Sequence, residues 1–162
     1  MRTALYRGAM TTAEVRRATV DDAERVAQLL HDFNTEFDTD SPGPDVLAER
    51  LRGLLAGLQT FALLSGDPAV GIALVTLRPN VWHPGPVALL DEMYVTPHAR
   101  AAGIGGAIVD RLIADCRIAG VSAIEINVDE GDADAQRFYA RHGFHGSDPQ
   151  TDERAFYFFQ EL

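Results

Sequence analysis

The stretch YVTPHARAAGIGGAIV, residues 94–109, carries an apolar strand through a short polar loop into an amphipathic helix. Before it, VALLDEMYV (87–95) reads as a strand. After it, Ile104, Ile108, Val109, Leu112, Ile113 and Cys116 recur at helical spacing until Gly120 stops the helix. The first turn of a helix has unpaired backbone N–H groups and a partial positive charge, so a junction of this kind suits a phosphate. Glycine at 103, 105 and 106 removes Cβ atoms that would keep phosphate oxygens away, and Arg100 can add a charge-assisted contact. A Gly105→Glu side chain is expected to meet that phosphate and leave the fold largely intact. A dinucleotide fingerprint fits poorly, because G-x-G-x-x-G needs a glycine where Ile108 stands.

The order of elements reads as a mixed α/β domain. On the N-terminal side, Glu14–Ala18 is a short strand and Thr19 caps a helix with Asp22 three residues on. Ala23, Val26, Ala27, Leu30, Phe33 and Phe37 follow one face of that helix. TDSPGP (39–44) breaks the chain, and Leu47, Leu51, Leu54, Leu55 and Leu58 mark a second helix. Thr60–Leu64 and Ala69–Leu77 form a hairpin across Ser65-Gly66-Asp67-Pro68, and the proline-rich loop RPNVWHPGP (78–86) follows. On the C-terminal side come the strand AIEINV (123–128), a helix with Ala135, Phe138, Tyr139 and His142 on one stripe, and AFYFFQ (155–160) as a last strand. No repeat or linker interrupts the 162 residues, so one domain is expected, its core at about 13–161. Met10 offers an alternative start, and residues 1–9 are read as a leader with no assigned structure.

Composition removes several function classes. An apolar fraction of 46% with 23% charged residues is that of a folded protein. No run approaches the roughly 18–20 apolar residues of a membrane span, and the first ten residues lack the apolar core of an export signal. A single cysteine excludes an intrachain disulfide and fits a reducing cytoplasm. At helical spacing Cys116 reads as a packing residue. The formal charge of -10 argues against nucleic acid as a partner and toward cationic ones. The chain has no lysine, so a Walker A loop is impossible. None of its four serines sits in G-x-S-x-G, and the lone cysteine leaves no structural zinc module; no metal is expected.

Two spaced blocks then carry a family resemblance. Arg100-x-x-Gly103-x-Gly105, after Met93-Tyr94-Val95, resembles the cofactor motif of the GNAT superfamily of N-acetyltransferases. Asp132-x-x-Ala135-x-x-Phe138-Tyr139-x-x-x-Gly143-Phe144 resembles that family's N-x-x-A-x-x-F-Y-x-x-x-G-F. The resemblance implies a mostly antiparallel central sheet with a splayed parallel strand pair and flanking helices. It implies acetyl-CoA as co-substrate, with the pyrophosphate on the backbone of Arg100, Ala101, Ala102, Gly103, Ile104, Gly105 and Gly106. The pantetheine arm would lie between Asp91–Val95 and Glu125–Val128, against Asn127. A backbone N–H near Met93, Tyr94 or Val95 would hold the thioester oxygen. Asp132 replaces the family's frequent asparagine and keeps only an acceptor, so it serves equally as a helix N-cap.

The chemistry follows from the acceptor. An alkyl amine has a pKa near 10.4, so at pH 7 only about one molecule in two thousand is nucleophilic. The resemblance places Tyr139 beside the sulfur as proton donor. Asp91 and Glu92 are the candidate bases. Strand alternation lets only one of them face the cleft unless a bulge intervenes, and the resemblance implies an acidic residue at the position of Asp91, on the face of Met93 and Val95, which puts Asp91 slightly ahead of Glu92. The resemblance implies acceptor walls at the acidic segment HDFNTEFDTD (31–40) and the Trp82-His83 loop, where carboxylates and an aromatic suit a cationic amine. A homodimer is expected from family habit and the aromatic last strand. The rival readings are an acetyl-CoA-binding sensor without turnover and, further off, a nicotinamide-nucleotide protein.

Overall fold

The computed structural model describes residues 14–158 and 160–162. Five strands lie side by side in chain order: β1 (Val15–Arg17), β2 (Thr60–Gly66), β3 (Ala69–Arg78), β4 (Val87–Val95) and β5 (Ala123–Ile126). The first three pairings are antiparallel and β4–β5 is parallel. A parallel step needs a crossover, and helix α3 (Ile104–Ile118) supplies it. This is the mixed sheet with one parallel pair that the sequence implied.

Helices α1 (Ala23–Glu36) and α2 (Pro44–Ala56) cover one face, packing Val26, Leu30 and Leu51 onto Ala62, Leu64 and Ile72. On the other face α3 buries Ile108, Leu112 and Cys116 against Leu63, Val75 and Leu90. Cys116 is therefore a core residue. With both faces covered, β2 shows six consecutive buried residues rather than alternation. Gly71 on β3 makes room for α3, since a Cβ there would come within 2.9 Å of the Ile104 Cγ2.

Local signals set the ends of the elements. The Thr19 N–H donates to the Asp22 carboxylate at 2.8 Å, and Arg16 grips the same group at 2.6 and 2.8 Å, which fixes the entry to α1. At the end of α3 the Val121 N–H reaches the Cys116 carbonyl and the Gly120 N–H reaches that of Arg117. This closing motif needs the φ of +71° that Gly120 adopts. Helix α4 (Ala133–Arg141) starts at Asp132, whose side chain accepts from the Ala135 N–H at 2.9 Å.

Three expectations change. Helix α2 ends at Ala56, which leaves Leu58 outside it and exposed, with Leu54 half-exposed. Strand β5 stops at Ile126 rather than 128. The described residues of 155–160 form no strand, and Phe156 and Phe158 are exposed. Aromatic composition favours extended backbone, but a strand also needs an edge to pair with. The expected leader, residues 1–9, lies outside the described residues.

Candidate active site

The β4–β5 ladder runs only from Val87 opposite Ala123 to Leu90 opposite Ile126. Past that point β4 continues through Asp91–Val95 without a parallel partner, while the chain after β5 turns away through Asn127, Val128 and Asp129. The two strands splay, and a cleft of about 320 Å³ opens between them. Met93, Tyr94 and Val95 line it from one side, Asn127 and Asp132 from the other. Phe33 and Phe37 close it on the α1 side and Tyr139 on the α4 side. The site residues named from the sequence in β4, β5 and α4 thus converge. The acidic segment 31–40 contributes its aromatics here. The Trp82-His83 loop does not: His83 borders a separate depression of about 380 Å³ with Arg78, Asn80 and prolines at the opposite end of β4.

A bulge decides the carboxylates. Leu74 faces Glu92 and Val75 faces Leu90, so Asp91 is the extra residue in β4. Leu90 and Met93 both belong to the α3 face, which places Asp91 and Glu92 together on the α1 face rather than alternating. Asp91 is exposed and accepts from the Thr76 hydroxyl at 2.6 Å. Glu92 is half-buried and has no hydrogen-bond partner among the described residues. Burial, and then the neighbouring Asp91 charge, push its carboxyl above the usual range.

Tyr139 packs edge-on against Phe138 and Phe144, with centroids 5.1 and 5.8 Å away. Its hydroxyl touches the Met93 sulfur at 3.9 Å, a weak acceptor. Burial, followed by the Asp132 and Glu92 charges, pushes the phenol up to about 12, so it keeps its proton across the neutral range.

The loop before α3 leaves backbone donors open. Among the described residues the N–H groups of Ala101 through Gly106 make no hydrogen bond, and Ala101, Ala102 and Gly103 are exposed. Ile104 itself is buried in the α3 core. The glycines act differently from one another. Gly103 opens the helix with a φ of +80°. A Cβ on Gly105 would point inward, 3.4 Å from the Met93 Cε and the Phe138 ring, and one on Gly106 would meet His142 at 3.6 Å. Gly105→Glu therefore strikes the α3–α4 packing first, contrary to the expectation of an intact fold. Arg100 is also not a free anion ligand, because it pairs with Glu36 at 2.8 Å. Nothing in the sequence marks Glu36 for this, since it lies 64 residues from Arg100. Among the described residues no group of three His, Cys, Asp or Glu side chains is placed to hold a metal ion, and no helix is long and apolar enough to cross a membrane.

The split parallel pair and the helix start with unpaired N–H groups lie at the same end of the sheet. The family model for the Acetyltransferase (GNAT) family matches residues 23–144, and the chain belongs to that family. A protein of Arthrobacter sp. FB24 assigned as an acetyltransferase is 48% identical, with a TM-score of 0.88 over 94% of this chain and 97% of that one. An aminoglycoside acetyltransferase, meta-AAC0020 from an uncultured soil metagenomic sample, is 19% identical with a TM-score of 0.76, covering 92% of this chain and 95% of that one. AAC(6')-Iy, solved with the bisubstrate analog CoA-S-monomethyl-acetylneamine, is 15% identical with a TM-score of 0.73, covering 94% of this chain and all of that one. The last two likenesses are of fold alone. No curated protein matches the chain.

Proposed function

We propose that the protein is a cytoplasmic, single-domain N-acetyltransferase that moves the acetyl group of acetyl-CoA directly to a primary amine of a small molecule or peptide. The observation that carries this reading is one cleft lined by a half-buried carboxylate brought into place by a bulge and by a protonated tyrosine, with Arg100 on its rim leading into the unpaired N–H groups of Ala101–Gly106. Bound acetyl-CoA supplies an activated thioester. The N–H groups of Ala101–Gly106 hold its pyrophosphate, and the strand gap holds the pantetheine arm beside Asn127. The unpaired edge of Met93–Val95 offers a backbone N–H to the carbonyl oxygen, a donor commonly worth about 3–4 kcal/mol to such a step.

Glu92 is the better base. Its raised pKa brings it closer to the operating pH, whereas Asp91 is tied to Thr76 and exposed. Glu92 takes the amine proton directly or through a water, and Tyr139 gives its proton to the sulfur as it leaves. Asp91, Glu92, Asp129 and Asp132 around the cleft, with Phe33 and Phe37, suit a cationic acceptor. An acceptor screen with acetyl-CoA tests the reading, following thiol release over polyamines, aminoglycosides, amino acids and peptides. Amine-dependent release is expected. Tight acetyl-CoA binding without release on any amine class would leave a sensor in place of the enzyme.

A further inference from the structure

Arg100 stands at the entrance to the open turn, yet its side chain runs toward α1. Its Nε–H donates to the Val95 carbonyl at 2.9 Å, and its two terminal nitrogens meet the two Glu36 oxygens at 2.8 Å each. The Tyr94 hydroxyl donates to the same carboxylate at 3.0 Å. A fork-to-fork pair of this kind fixes the plane of the guanidinium as well as its charge. The carboxylate pKa is held low, by Arg100 first, so the pair stays ionised. Three of the five guanidinium N–H groups are used, and two remain for a ligand.

The turn needs such a tether. Ala101 sits at a φ of +60°, a region costly for a residue with a Cβ, and Gly103 follows at +80°. Among the described residues no backbone N–H from Ala101 through Gly106 donates a hydrogen bond, and Ala101 and Ala102, ahead of the Gly103 carbonyl that accepts from the Ala107 N–H at 3.0 Å, are left without a backbone tie. Glu36 is also the last residue of α1, whose Phe33 ring lies tilted against Tyr94 at 5.4 Å and meets Phe37 edge-on at 5.3 Å. One carboxylate therefore joins the turn, the end of β4 and the aromatic wall of the cleft.

We propose that Glu36 is a positioning residue for coenzyme A binding: through Arg100 it holds the 101–106 turn in the shape that receives the pyrophosphate. This rests on the acetyl-CoA reading above. The test compares wild type, Glu36→Gln, Arg100→Ala and the double variant. The readouts are coenzyme A binding by calorimetry, melting temperature, and kinetics with acetyl-CoA and with S-acetylpantetheine, which lacks the pyrophosphate. Glu36→Gln should weaken coenzyme A binding about fivefold with kcat kept, the scale of one exposed, networked ion pair. Its KM for S-acetylpantetheine should not move, and the double variant should bind no worse than Arg100→Ala alone. Wild-type affinity in Glu36→Gln, additive losses in the double variant, or an equal loss with S-acetylpantetheine would each overturn the proposal. A wild type that binds no coenzyme A would remove the functional reading beneath it.

Discussion

Among the described residues the Tyr139 hydroxyl has one hydrogen-bond partner, the Met93 sulfur, so removing the oxygen costs the fold little and the proposed chemistry much. Tyr139→Phe should change stability by no more than about 1 kcal/mol. Coenzyme A affinity should hold while kcat falls about 10²-fold, the common worth of a placed general acid. Normal turnover with a lowered melting temperature would make Tyr139 a packing residue and leave the carboxylates as the remaining chemical candidates. Glu92 gives the opposite pattern of stability. Its carboxyl is raised by burial and by Asp91, so the folded state prefers it neutral. The stability it contributes is present below the ordinary carboxylate pKa and is lost as pH rises through the raised value. Glu92→Gln should therefore be as stable as wild type at pH 7, or more so, and should flatten that pH dependence between acid and neutral pH in denaturant titrations. The acid limb of kcat/KM should disappear with it.

At the scale of elements, stability and chemistry separate along β4. The Gly85 backbone lies so close to Gly120 that an added Cβ would come within 2.0 Å of the Gly120 carbonyl oxygen. Gly85→Ala should cost about 1–3 kcal/mol, as overpacking against backbone does, and should leave coenzyme A affinity unchanged because the cleft is at the other end of the strand. A drop in affinity as large as the drop in stability would contradict this separation. The elements that frame the cleft were legible because each has a local cause: the 3.6-residue stripe of α3, the glycine that stops it, the Asp132 cap of α4. The bulge was not legible, since Leu-Asp-Glu-Met carries no turn residue and the extra residue shows only against the register of β3. For the same reason the sequence put Asp91 ahead, whereas the proposed base is Glu92. The Glu36–Arg100 pair was hidden by its span, and the aromatic run at 155–160 misled because aromatic composition signals a strand without supplying its neighbour.

Across the whole molecule, the exposed Phe156 and Phe158 are apolar surface of the kind that assembles. They support the proposed homodimer, and light scattering should give twice the 17.6 kDa chain mass at high micromolar concentration. A monomer mass there would remove the dimer and leave the cleft untouched. Tyr94 and Tyr139 are both pushed up to about 12, mainly by burial. The folded state thus resists an ionisation that the unfolded chain undergoes near pH 10, and stability should fall steadily as pH rises from about 10 toward 12. The proposed activity is a single acetyl transfer. Acetyl-CoA carrying an isotope-labelled acetyl group, incubated with the protein and a cationic amine, should release free thiol in step with label appearing in an amide on that amine, as read by mass spectrometry. Label that stays in the thioester, with the protein saturated by acetyl-CoA and each amine class present in turn, would contradict the account.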